Sequence, residues 1–180
     1  MIWQKLSSKI YYKNRYMTVT EDELITDHGD QVTFGVVHKI PGVCIIPWDG
    51  QNFTIVGQYR YPVDLFSWEF PAGHFEHKNM EGTARAELEE EAGLVADKIE
   101  KIGEFHLAPG HHTQIIHFFL ATGLSAVKQN LEIAEKGMQI KKVTPKALNQ
   151  MIINGDVKDS LTIAALKFFE LHLATPTSHE

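Results

Sequence analysis

The chain has 180 residues, 43% of them hydrophobic and 22% charged, which suits one folded domain with a sizeable core and room for a small appendage. Its formal net charge is −6, so it offers no basic surface to a phosphate backbone, and nucleic acid is excluded as the main partner. A single cysteine, Cys44, excludes a disulfide framework. No apolar run approaches the ~18 residues of a membrane span.

Read from the start, "MIWQKLSSKIYYKNRY" has no continuous apolar segment of the kind that opens a signal peptide. The expectation is therefore a cytoplasmic protein without a membrane partner. "KIYYKNRYMTVTEDELIT" and "QVTFGVVHKI" alternate with β-branched content, which predicts antiparallel strands. "GVCIIPWDGQNFTIVGQYRY" predicts a hairpin turning at Asp49-Gly50, with Cys44 as a small core residue. "LFSWEF" reads as a short strand ended by "PAG". Helical signals run from about Glu81 to Ala92, with Gly93 placed to end the helix.

Strand patterns return in "KIGEFHL", "IIHFFLATG" and "MQIKKV". Thr144-Pro145 then predicts a helix start, and Gly155 its stop. Asp159 or Ser160 should cap a last helix in which Leu161, Ala165, Phe168 and His172 share a face. "TPTSHE" reads as a frayed tail. This order predicts an α+β fold, a mixed sheet between helices, with a small antiparallel β subdomain at residues 1–40, the main domain at 41–174 and the tail at 175–180.

The chemistry concentrates in "ARAELEEEAGL", where Glu87, Glu89, Glu90 and Glu91 crowd the end of the predicted helix. Helical spacing brings Glu87, Glu90 and Glu91 together and turns Glu89 away. Like charges so spaced cost about 0.2–0.5 kcal/mol per pair, and the helix C-terminus adds its own penalty. A solvated acidic face would explain the pattern blandly. Against it stand the apolar anchor Leu88 and the loop "FPAGHFE", whose Gly73 lets backbone oxygens such as that of Ala72 approach. Hard cations such as Mg²⁺ take oxygen ligands of this kind together with substrate phosphates.

With loop and helix in view, the chain resembles the Nudix box, a glycine loop followed by a helix ending Glu-Glu-any-Gly, here Glu90, Glu91, Ala92 and Gly93. "GQYRYPVDLFSWEFPAG", "APGHHTQIIHFFLA" and "NGDVKDSLTIAALKFFEL" extend the resemblance to ADP-ribose pyrophosphatases and related nucleoside-diphosphate-sugar hydrolases. It departs from the pattern at His74 in place of a loop glycine, at Lys78 or Asn79 in place of a loop glutamate, and at Ala86, with Arg85 one place early.

The resemblance implies a Nudix-type α/β/α sandwich and metal-dependent cleavage of ADP-ribose and similar diphosphates. Mg²⁺, with Mn²⁺ as a substitute, would be held by Ala72, Glu87, Glu91 and, directly or through water, Glu90. A base is expected from a downstream loop; Gln114 occupies a common glutamate position, which leaves Glu135 and Glu132 as the acids available. Arg60 would meet the pyrophosphate, with a surface ion pair to Asp64 or Glu69 as the lesser reading, and Glu69 would support the site. Trp3, Tyr12 and Tyr16 are aromatic candidates for the base, and His111 and His112 for the sugar or phosphate. The clustered histidines lack cysteine partners and zinc spacing. In relatives the N-terminal strands swap across a homodimer, so a homodimer is expected. Preference for a GDP-mannose-type substrate, and a non-catalytic ADP-ribose sensor, are the competing readings.

Overall fold

The structure is a computed structural model that describes residues 2–75 and 79–175. It divides into two compact units, one of residues 1–41 with 105–116, the other of residues 42–104 with 117–180. Glu76, His77 and Lys78, and all of the expected tail beyond Thr175, lie outside the described residues.

In the first unit, strands β1 (Gln4–Lys13), β2 (Met17–Ile25) and β3 (Gln31–Lys39) form an antiparallel meander. What reads as one alternating run from Lys9 to Thr26 is broken by a turn. There Asn14 Oδ1 accepts from the N–H groups of Tyr16 and Met17, the local bonding that makes asparagine a turn former. The second turn uses Thr26 Oγ1, which accepts from the His28 and Asp30 N–H groups. β1 is tied to β2 through buried Asp22, which accepts from Ser8 Oγ and Lys5 Nζ. The Ser8 bond above all, against burial, holds the Asp22 carboxyl below its usual range. Residues 105–116 join this unit through Val37, which donates to the His111 carbonyl and accepts from Thr113 N–H.

The second unit carries a four-stranded mixed sheet in the order β7 (Ala72–His74), β4 (Gly42–Pro47), β9 (Ile115–Ala126), β8 (Leu94–His106). A second, antiparallel sheet has the order β10 (Gln139–Val143), β5 (Phe53–Arg60), β6 (Leu65–Glu69). Every residue of β4 is buried, as an apolar strand covered on both faces must be. Val43 and Ile45 join Ala84, Leu88 and Ala92 of helix α1 (Met80–Ala92) in one core cluster. Helix α3 (Ser160–Ala174) also packs against β4, and its Phe169 meets the rings of Trp48 and Phe53. The sheet thus lies between helices, as the element order predicts. Cys44 is fully buried.

Two expectations are corrected. β4 and β5 do not form a ladder: they enter different sheets and share the single bridge Trp48–Phe53. The turn between them is real, since Asp49 Oδ1 accepts from Gln51 and Asn52 N–H and Gly50 has φ +97°. The strands then separate because β4 pairs with β9 and β7. The buried stripe of α3 is Thr162, Ala165, Leu166 and Phe169, a shift from the expected face. Its cap is Asp159, which accepts from Thr162 N–H. Thr144 caps helix α2 (Pro145–Asn154), which ends at left-handed Gly155.

Candidate active site

Helix α1 is fixed at both ends. Asn79 Oδ1 accepts from Gly82 N–H, a cap worth about 0.5–2 kcal/mol. Gly93 closes the helix at φ 59°, donating to the carbonyls of Leu88 and Glu89. Anchored by buried Ala84, Leu88 and Ala92, the helix carries Glu91 into the interior, where it is 3% exposed. Glu87 and Glu90 are half-buried, and Glu89 is exposed.

Strand β7 supplies the opposing backbone. Ala72 N–H donates to Glu91 Oε2 at 2.9 Å. A Cβ on Gly73 would stand 1.7 Å from Glu87 Oε1, so the backbone and the Glu87 carboxylate approach as closely as they do only because residue 73 has no side chain. Burial first, and then the charge of Glu87, push the Glu91 carboxyl well above the usual range; the Ala72 bond and Arg60 act against this, and Glu135 adds to it. Glu87, Arg60 and Glu135 therefore all lie within electrostatic reach of Glu91.

Arg60, at the end of β5, donates through Nε to both oxygens of Glu69 at 3.1 Å and through Nη2 to Glu69 Oε2. Of the two partners considered from sequence, Glu69 is the one it takes; Asp64 instead accepts from Tyr59 Oη at 2.8 Å. The pair is half-buried: Glu69 is 4% exposed, while the Arg60 side chain is 41% exposed. Burial works against the Arg60 charge, but the bonds and charge of Glu69 outweigh it and raise its pKa.

The loop after β9 is laced to the end of α1. Val127 N–H donates to the Gly93 carbonyl, Asn130 N–H to that of Glu90, and Gln129 Nε2 to that of Glu91. This brings in the two downstream acids. They form a reciprocal cap around a short 3₁₀ turn, with Glu135 Oε2 accepting from Glu132 N–H at 2.9 Å. Glu132 is exposed, and Glu135 is half-buried. Nothing in the sequence signals Gln129 as a clasp. Asp159, readable only as a cap, also acts electrostatically on Arg60 and Cys44.

Besides Tyr16, whose N–H donates to Asn14 Oδ1 in the first turn, four other predicted residues belong to the first unit. Trp3 stands edge-on to Phe34 at 5.6 Å, Tyr12 Oη accepts from Asn14 Nδ2, His111 N–H donates to the Ala108 carbonyl, and His112 Nδ1 accepts from Gln114 N–H. Burial, then Lys39 and His111, lowers the His112 pKa. Arg85 does not stand in for the missing box arginine. It is exposed and bonded to Glu81 and the Ala96 carbonyl.

Among the described residues no group of three His, Cys, Asp or Glu side chains already converges as a cation cage. The donor set still fits a hard cation, because Mg²⁺ takes one or two protein carboxylates and completes its shell with water and phosphate oxygens. A buried carboxylate, Glu91, close to a second one is costly without such a counter-charge.

Comparison with known proteins bears on the same residues. The NUDIX domain family matches residues 38–161. The chain is similar to an ADP-ribose pyrophosphatase of Bacillus subtilis, at 34% identity over 125 residues covering 68% of each chain. It is also similar to a GDP-mannose pyrophosphatase of Yersinia enterocolitica, at 28% identity covering 95% of this chain and 94% of that one. Among solved structures, that of an ADP compounds hydrolase shares the fold with a TM-score of 0.86 and 15% identity, over 97% of this chain and 95% of the other.

Proposed function

Because the chain belongs to the Nudix family, we propose that it hydrolyses the pyrophosphate of ADP-ribose and related nucleoside-diphosphate sugars, giving a nucleoside monophosphate and a sugar phosphate. One observation carries this: buried Glu91 is clasped by the Ala72 N–H beside a Glu87 carboxylate that touches Gly73. An arrangement so unfavourable to the folded protein makes sense where a cation and a diphosphate relieve it.

In this reading Glu87, Glu91 and the Ala72 carbonyl hold Mg²⁺, or Mn²⁺ in its place, and Glu90 assists directly or through water. When bound, the cation supplies neutralisation of the diphosphate and a more acidic water. Glu135 is the base that takes the water proton, an assignment supported by the bonds that tie its loop to Glu90 and Glu91 at the end of α1; exposed Glu132 is the lesser candidate. Arg60 clamps phosphate oxygens with a fork that suits them, and Glu69 supports the site by holding Arg60 until substrate arrives. Trp3 and Tyr12 stack on the base, and His111 and His112 serve the sugar or phosphate. Residues 1–40 act as the base-binding and dimer-forming segment, with hydrolysis assigned to 41–174. A homodimer is supported by β1, all ten of whose residues are exposed. The one cysteine, reduced and buried, suits a cytoplasmic location.

The relative that aligns over 95% of the chain acts, by its name, on GDP-mannose, so a guanine sugar nucleotide is the second reading. A panel of ADP-ribose, GDP-mannose, UDP-glucose, dinucleotides and deoxynucleoside triphosphates, with and without Mg²⁺, separates them. AMP and ribose 5-phosphate formed only with metal is the expected result. Turnover of GDP-mannose alone moves the assignment to the second reading, turnover of triphosphates alone overturns both, and tight ADP-ribose binding without any turnover makes the protein a sensor.

A further inference from the structure

The Arg60–Glu69 pair shares its sheet face with a polar atom that has no role in the site described above. In the antiparallel register, Arg60 stands opposite Leu65, Gln58 opposite Ser67, and Val56 opposite Glu69. Opposed residues share a face, and positions two apart on a strand share it too. Arg60 therefore reaches diagonally across the Gln58–Ser67 step to meet Glu69. Ser67 is at that step, 2% exposed. Among the described residues its Oγ has no hydrogen-bond partner. A buried hydroxyl without a partner burdens the fold, and alanine would remove the burden.

The ion pair itself raises the question that Ser67 answers. A guanidinium whose Nε and Nη2 both donate to Glu69 keeps only Nη1 and the second Nη2 proton for a phosphate, so bringing its Nε edge to a diphosphate requires it to turn from Glu69. When it turns away, Glu69 is left buried without its cation, which is strongly unfavourable. Ser67 lies two residues before Glu69 on the same strand face, roughly 7 Å along the backbone. That is within the reach of a glutamate side chain, and the hydroxyl has a proton to give.

We propose that Ser67 is a positioning residue: its hydroxyl donates to the Glu69 carboxylate when Arg60 leaves for a diphosphate, so that Arg60 alternates between Glu69 and substrate. This rests on the hydrolase reading for its substrate, but its test does not. Inorganic pyrophosphate with Mg²⁺ is titrated by calorimetry into wild type, Ser67→Ala, Arg60→Ala and the double variant. Unliganded melting temperatures are measured alongside, as are kcat and KM for ADP-ribose.

Ser67→Ala should melt no lower than wild type, yet bind pyrophosphate on the order of tenfold more weakly, the weight of one hydrogen bond to a charged group. KM should rise by a similar factor while kcat stays within about twofold, and in the Arg60→Ala background the substitution should add nothing. Unchanged pyrophosphate affinity, a weakening that persists without Arg60, a lowered unliganded melting temperature, or failure of wild type to bind pyrophosphate would each overturn the proposal. If wild type hydrolyses no sugar nucleotide but Ser67→Ala still weakens pyrophosphate, the hydrolase reading falls and the role of Ser67 stands.

Discussion

Gly73 and Glu87 cannot both keep their places once residue 73 gains a side chain. In Gly73→Ala the new Cβ would lie 1.7 Å from Glu87 Oε1 and 2.1 Å from its Cδ. The colliding atoms end a flexible side chain, so the fold survives by swinging Glu87 aside. The expected outcome is a native circular dichroism spectrum with turnover of ADP-ribose reduced about 100-fold or more, the scale set by displacing a site group by about an ångström. Near-wild-type turnover would remove Glu87 from the site. Glu91 makes the complementary case. Its carboxylate is 3% exposed and repelled by Glu87, so Glu91→Gln should raise the melting temperature in metal-free buffer while lowering turnover by at least about 100-fold. A fall in both would make Glu91 structural. These glutamates are legible in the sequence because helical spacing is local. Ser67, Gln129 and the reach of Asp159 are not, because their significance depends on which strands and loops become neighbours.

At the scale of elements, the same division holds. Gly93, Thr144 and Asp159 act as caps, as read, since a cap bonds within three or four residues of itself. The turn at Asp49 is equally local, but the hairpin inferred from it is not: turn chemistry reverses the chain without deciding which sheet each strand joins. α3 misleads by its composition, being apolar on so much of its surface that several faces could serve as the core stripe. The Asp49 turn also carries a pH signature. Its carboxylate accepts from Asn52, Gln51 and Lys142, with the Asn52 bond foremost, and its pKa is lowered to about 2 from 3.8. A depressed acid stabilises the fold above its unfolded pKa and loses that contribution as pH falls through the folded one. Asp49→Ala should therefore lower the urea midpoint at pH 6, and part of that difference should disappear between pH 4 and pH 2 as the native carboxylate protonates. A difference constant across that window would mean that the charge contributes nothing.

For the whole molecule, the unresolved physical problem is the surface of β1. All ten of its residues are exposed, including Leu6 at 45%, Ile10 at 59%, Tyr11 at 57% and Tyr12 at 51%. A short meander that leaves so much apolar and aromatic surface in water is weakly stable on its own. The alternation of the first forty residues reveals the strands but cannot reveal what covers them, because a strand wet on both faces and a strand covered by another chain read alike. A second copy of the chain is the cover expected here, and the expectation has consequences at two levels. Sedimentation at micromolar concentration should give twice the 20.4 kDa of one chain. Ile10→Glu, which introduces a charge into the middle of that surface, should shift the mass to a single chain. If residues 1–40 help to bind the base, the same variant should raise KM for ADP-ribose on the order of tenfold or more, the energy of one stacked aromatic contact. Mg²⁺ dependence, if it rests on Glu87 and Glu91 as proposed, should persist in the single chain. A wild type that sediments as one chain and turns over at full rate would leave β1 without the partner its surface calls for, and would separate the N-terminal strands from the chemistry altogether.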